Sequence, residues 1–225
     1  MNRRRWSLLG ALVALPLALV ALVPQRSVAA EPAVVTPVFA SHRATAVFAG
    51  GCFWGLEDVF GKLRGVSNVV VGYSGGDRAT AHYDIVSEGT TGHAESVAVT
   101  YDPTVISYGK LLDVFFGVAH DPTEVDRQGP DDGPQYRSVI FYAADAQKRE
   151  ATADIARLAA SHTFARPIAT QVVPLRAFYA AEAYHQHFAE RNPAYPYIVE
   201  VDAPKVALLE ARFPKLVHDT RSAKH

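Results

Sequence analysis

The order of elements written into the sequence, strand–helix–strand twice over, predicts an α+β domain: a ferredoxin-like split βαβ two-layer sandwich with additional helices and a C-terminal extension. Three observations predict it. A β-prone apolar run at 44–49 ends in Gly50-Gly51 and gives way to Phe53, Leu56, Phe60 and Leu63, spaced by three and four as on one face of a helix. Two further strand-like runs follow, 66–73 with Val69-Val70-Val71 at its centre and 93–101 with strict alternation. Then Leu111, Leu112, Phe115 and Val118 mark a second amphipathic helix that leads to a fourth strand at 137–142.

The elements can be justified in order. The first helix is expected over 53–64. Ser74-Gly75-Gly76-Asp77 is a turn signal, and a loop is expected from there to Thr91-Gly92. Asp102-Pro103 ends the third strand, and Ser107 is placed to cap a helix running through 119. A loop at 120–135 precedes the fourth strand. Beyond it come a helix over 145–161, a strand over 167–173, a helix over 180–191 and a last helix over 204–213.

With 225 residues and a net charge of −1, the chain is long enough for one ordinary domain plus extras and lacks the basic footprint of a nucleic-acid binder. The first thirty residues read as an export leader. Arg3-Arg4-Arg5 form a basic start, 8–23 an apolar core, and Val28-Ala29-Ala30 offer small residues for cleavage before Glu31. The apolar run is short for a membrane span and contains Pro16. The expected organisation is a leader at 1–30, a linker or wrapping arm at 31–43, one domain at 44–215 and a polar tail at 216–225. The location expected is periplasmic or extracellular, with a membrane anchor only if the leader stays uncleaved.

The chain has one cysteine, so no internal disulfide can form. Lone cysteines are commonly small buried hydrophobes. Cys52, however, sits where a strand stops and a helix begins, and unpaired amides with the helix dipole there favour a thiolate. The two preceding glycines permit close approach of a ligand or another backbone. On the third strand Glu95 shares a face with Val97, Val99 and Tyr101. Alternation alone leaves two choices: a carboxyl buried among valines and held neutral, or one solvated just ahead of the strand.

The run Gly-Cys-Phe-Trp-Gly at 51–55, followed two residues later by Glu57, resembles the active-site signature of the A-type peptide methionine sulfoxide reductases. Gly92-His93-Ala94-Glu95 is similar to the segment supplying that family's general acid, and Tyr83 stands at the spacing of an active-site tyrosine. Residues 127–138, including Asp131 and Gln135-Tyr136-Arg137-Ser138, resemble a second signature. Asp126 stands where the family leads one to expect asparagine, and Pro134 is unusual before Gln135. The C-terminal stretch 192–198, where many relatives carry a second or third cysteine, contains none, as in the single-cysteine branch.

The resemblance implies reduction of methionine S-sulfoxide, free or in peptides and proteins, through a cysteine sulfenic acid, as repair of oxidised exported proteins. It implies Cys52 as nucleophile, Glu95 as acid, Tyr83 and Tyr136 as hydrogen-bond donors, Asp131 as an orienting group, and Phe53 and Trp54 as the methyl-accepting wall. It implies no bound cofactor and no metal. The reductant would be an external thiol, such as a thioredoxin-like protein, glutaredoxin with glutathione, or dithiothreitol in vitro. Oxidised methionine-containing proteins would be the partners of a monomer. His185 and His187 do not share a helical face and have no ligand-spaced companions, so a metal is not expected there. Two other readings use the same cysteine: a thiol peroxidase, and an exported redox-sensing or peptide-binding module. The acid at Glu95 and the aromatic pair at 53–54 argue against the first, since peroxide needs no methyl pocket; a sulfenic acid formed without any methionine would favour the second.

Overall fold

The computed structural model describes residues 31–218; the leader expected at 1–30 and the end of the expected tail lie outside the described residues. Strand β1 (Phe39–Ala40) turns back onto β2 (Arg43–Ala49), which feeds helix α1 (Phe53–Gly61). Then come β3 (Val66–Ser74), a short helix α2 (Tyr83–Val86), β4 (Ala94–Tyr101) and α3 (Tyr108–Val114), which widens into a π turn over Phe115–Ala119. The two-residue strands β5 (Arg127–Gln128) and β6 (Asp131–Asp132) pair with each other ahead of β7 (Val139–Tyr142). Helix α4 (Asp145–Ala160), β8 (Gln171–Pro174), β9 (Phe178–Ala180), α5 (Phe188–Arg191) and α6 (Ala203–Arg212) complete the chain.

The sheet runs β8-β7-β2-β4-β3-β9. Its middle four strands are antiparallel, with β4 between β2 and β3, which is the predicted split βαβ arrangement. Ser107 caps α3 as expected, its side chain accepting from the Lys110 amide at 3.2 Å.

Alternation along the strands sorts side chains into two cores. Phe48, Val71, Val97, Val99 and Tyr101 face α1 and α3 and pack on Leu56, Val59, Phe60, Leu111 and Phe115. Phe48 stacks between Phe60 at 5.2 Å and Phe115 at 4.9 Å. The opposite face carries Val47, Ala49, Ala98, Val139 and Phe141, and it is not solvated either: Phe178, Val35 and Leu175 cover it. Residues 33–35 run along β9, while 39–40 pair with β2. Val35 donates to the Phe178 carbonyl at 3.0 Å and the Ala180 amide to Ala33 at 2.8 Å, which adds a further rung beyond β9.

The structure corrects several boundaries. Helix α1 stops at Gly61 because the next amides turn elsewhere: Arg64 N donates to Leu216 O at 2.7 Å, where the start of the tail docks. The 74–92 loop contains α2, which carries Tyr83. The strand expected at 167–173 is confined to Gln171–Pro174. The largest correction is 180–191, expected as one helix. Its first residue ends β9, and only Phe188–Arg191 are helical. Gln186 takes over the backbone of β3, with its side chain accepting from Val71 N at 3.1 Å and donating to Val71 O at 3.0 Å. His187 adopts φ 53, which breaks any helix leading into it.

Candidate active site

The site is assembled where β2 passes into α1. Gly51 has φ 96, and a Cβ there would lie 2.6 Å from Gln128 Cγ; one on Gly50 would lie 2.9 Å from the His120 ring. The space left by the two glycines is thus filled by protein side chains. The Gly51 amide donates to the Tyr136 carbonyl at 3.1 Å, tying this turn to the 127–138 segment. Cys52 occupies the N-cap of α1 and is 8 % exposed.

Glu95 lies beside it. Its Oε2 accepts from the amide of Phe53, the first residue of α1, at 3.0 Å, and the residue is 2 % exposed. The buried choice left open by the alternation is the one the fold makes. Burial pushes its carboxyl up to about 8, and the charges of Asp131 and Asp202 act in the same direction against the Phe53 amide. At pH 7 a carboxyl of that acidity is about nine-tenths protonated.

Cys52 corrects the expectation of a depressed thiol. Burial pushes it well above the ordinary cysteine range, with Glu95, Asp202 and Asp131 adding to the effect; the Trp54 amide opposes them. The helix start is present, but its first amide is engaged by Glu95, and three carboxyl groups from distant segments surround the sulfur. The resting state of the pair is therefore a neutral thiol beside a neutral acid.

Tyr83 and Tyr136 are half-buried, and burial followed by the nearby Glu95 keeps both hydroxyls protonated, with Cys52 and Asp131 also in reach. Asp131 accepts a hydrogen bond from the Tyr197 hydroxyl and is raised by burial. Phe53 is 1 % exposed and belongs to the core, so the accessible aromatic surface is Trp54, with Phe53 behind it. The Trp54 ring stacks on Phe188 at 3.8 Å and meets the edges of Tyr195 and Tyr197.

The two departures from the signature fit the loop. Asp126 adopts φ 50, a left-handed conformation that Asp tolerates nearly as well as Asn. Pro134 opens the short helical turn Pro134–Tyr136, where its missing N–H costs no hydrogen bond. Arg137 then clamps this loop to the entry of β4, donating to the carbonyls of His93, Pro134 and Gly92 at 3.0, 2.8 and 2.9 Å.

Four residues of the site were not among the sequence candidates for it. His185 is buried and accepts from Trp54 Nε1 at 3.2 Å, which fixes the indole. Glu182 accepts from the Tyr73 hydroxyl and from the Tyr83 amide, both at 2.9 Å, which fixes α2. Tyr197 holds Asp131, and Asp202 lies beneath α1. Of these only His185 carries a sequence signal, since 184–188 resembles a family segment, and it enters there solely as a candidate metal ligand. His187 lies instead outside the cluster, its amide donating to Glu57 at 2.9 Å. Among the described residues no group of three His, Cys, Asp or Glu side chains could hold a metal ion. A groove of about 740 Å³ bordered by Phe116, Phe164 and Arg212 does not include Cys52 or Glu95 in its lining.

The comparisons with known proteins point to one family. Residues 44–216 match the family described as peptide methionine sulfoxide reductase. The chain is 53 % identical over 186 residues to peptide methionine sulfoxide reductase MsrA 2 of Synechocystis sp., covering 81 % of this chain and 87 % of the relative. It is 49 % identical over 172 residues to MsrA of Thermus thermophilus, covering 76 % and 96 %. Among solved structures, reduced Mxr1 from Saccharomyces cerevisiae superposes with a TM-score of 0.65 at 34 % identity, covering 72 % of this chain and 91 % of that one. Methionine sulfoxide reductase A of Corynebacterium diphtheriae gives a TM-score of 0.60 at 33 % identity, covering 69 % and 78 %.

Proposed function

The chain belongs to the peptide methionine sulfoxide reductase family and is a peptide-methionine (S)-S-oxide reductase, and from that premise we propose that Cys52 and Glu95 together carry the oxygen transfer. The observation that supports this reading is the hydrogen bond from the Phe53 amide to Glu95, which puts a protonated carboxyl beside the only cysteine.

A sulfoxide oxygen leaves only once protonated. Glu95 donates its proton to that oxygen while the Cys52 sulfur attacks the substrate sulfur, and the thiol proton returns to the Glu95 carboxylate. Tyr83 and Tyr136 donate hydrogen bonds to the oxygen as charge develops. Asp131, held by Tyr197, orients the groups around it. The attack forms a transient S–S bond, which breaks as the hydroxyl passes from the substrate sulfur to the Cys52 sulfur, so one S–O bond is lost and one is gained. The substrate sulfur is reduced by two electrons to the thioether, Cys52 is oxidised by two to the sulfenic acid, and no net proton is consumed. Trp54 offers the apolar seat for the methyl group.

Because the chain has one cysteine, the sulfenic acid is cleared from outside. One external thiol displaces water to form a mixed disulfide and a second releases Cys52 as thiol. The basic, apolar and small-residue blocks of 1–30 support an export leader, and hence repair of oxidised proteins outside the cytoplasm. The test is a reductase assay on separated sulfoxide epimers with dithiothreitol, thioredoxin and glutathione systems in parallel. Turnover of the S epimer and one sulfenic acid per chain without reductant are expected; an intact thiol after turnover would overturn the scheme. N-terminal sequencing of the secreted protein tests the leader.

A further inference from the structure

One buried carboxyl in the site has no part in the oxygen transfer. Asp202 ends the wide turn Ile198–Asp202 ahead of α6, and its side chain is 0 % exposed. Oδ1 lies 3.1 Å from Lys205 Nζ, while Oδ2 has no hydrogen-bond partner among the described residues. The carboxyl presses on the first turn of α1: a Cβ on Gly55 would lie 2.1 Å from Oδ1. An ionisable group buried without full pairing is costly, so its retention against the nucleophile's own helix calls for a reason.

We infer that Asp202, balanced by Lys205, is a positioning residue for the reaction: its negative charge beneath α1 opposes the helix's pull on the Cys52 proton and keeps the thiol protonated until substrate binds. The inference rests on the assignment of Cys52 as nucleophile. The groups facing Asp202 are Cys52 and Asp58 from α1, Glu95 from β4, Asp131 from β6, Tyr197, and Lys205 from its own helix. Burial pushes Asp202 up to about 6, with Lys205 opposing, so it is ionised at neutral pH. In that state it disfavours charge on both Cys52 and Glu95. The benefit is chemical. Oxygen transfer uses the proton on Glu95 and then the proton on sulfur, and a premature thiolate would be open to oxidants with no second cysteine to rescue it.

The test compares Asp202→Asn and Lys205→Gln in the full chain, reading iodoacetamide alkylation of Cys52 and kcat/KM on a methionine S-sulfoxide peptide, both against pH. Asp202→Asn should alkylate about tenfold faster at pH 7, the effect of lowering a thiol pKa by one unit, and its alkaline limb of kcat/KM should move to lower pH. Lys205→Gln removes the cation that holds Asp202 ionised and should shift both readouts the same way at pH 7, by a smaller amount. A merely structural pair would lower activity without moving either pH profile, and that result, or slower alkylation in Asp202→Asn, would overturn the inference. Should Asp202→Asn not fold, Lys205→Gln decides alone: faster alkylation at pH 7 supports the inference and unchanged or slower alkylation ends it. Loss of the functional reading is separately visible, as wild-type protein that alkylates at Cys52 yet produces no methionine.

Discussion

The indole nitrogen of Trp54 donates to Nδ1 of His185 across 131 residues of sequence, at 3.2 Å. A histidine that accepts at Nδ1 carries its neutral-state proton on Nε2, and burial lowers the pKa of this one, so the ring stays neutral. The partnership fixes the plane of the half-buried indole two residues from Cys52. Replacing His185 by Phe should raise KM for a methionine sulfoxide peptide about two- to tenfold, as expected for one neutral hydrogen bond, while leaving Cys52 alkylation unchanged. An unaltered KM would show that the indole is held by Phe188 and the tyrosine edges alone.

Glu95→Gln preserves an oxygen for the Phe53 amide but removes the transferable proton. Turnover should fall about 10²–10⁴-fold, the usual contribution of a positioned acid, with alkylation of Cys52 still occurring. Comparable loss of both would mean that Glu95 only holds the helix start.

The same carboxyl sets a pH dependence. With its pKa at about 8 in the folded chain against an ordinary 4.5, the native state keeps a proton that the unfolded chain has lost. Its contribution to stability is present below 4.5 and is lost as pH rises through 8. Wild-type kcat/KM should decline through the upper end of that window. Denaturant melts at pH 9 should find Glu95→Gln more stable than wild type; a variant no more stable there would refute the buried neutral acid.

Two glycines of α1 offer a matched pair. A methyl on Gly61 meets nothing within 4 Å, whereas one on Gly55 drives into the Asp202 carboxyl. Gly61→Ala should stabilise the protein by up to about 1 kcal/mol through helix propensity. Gly55→Ala should cost about 1–3 kcal/mol through overpacking, measured as the shift in urea midpoint. Equal effects would remove the contact between α1 and the 198–202 turn.

Cys52→Ser should abolish methionine formation from the S-sulfoxide under every reductant, read by chromatography of the product. Appreciable turnover would remove the nucleophile assignment and everything built on it.

What could be read in the sequence was what local pattern encodes. The alternation of Val97, Val99 and Tyr101 put Glu95 on their face of the strand but left its burial open, and the spacing of Phe53, Leu56 and Phe60 carried α1. The 180–191 segment misled because its helical composition is overruled by Gln186, whose side chain hydrogen-bonds the Val71 backbone 115 positions earlier. The thiol's acidity was equally out of reach. It depends on which group takes the first amide of α1 and on carboxyls brought in from β6 and the turn before α6. A local motif names a nucleophile, but only the assembled surroundings decide its protonation.

The arm that runs along β9 has a kinetic side. The backbone of Ala33 to Val35 pairs with Phe178–Ala180, about 145 positions further along the chain. A chain emerging from its N-terminus therefore holds the arm idle until most of the domain has appeared, and pairings so distant in sequence form slowly. Through that interval the outer edge of β3 has no neighbour of its own and can recruit a foreign strand. The arm and β9 act as a late-closing seam, and chaperone demand should concentrate on the time before it shuts.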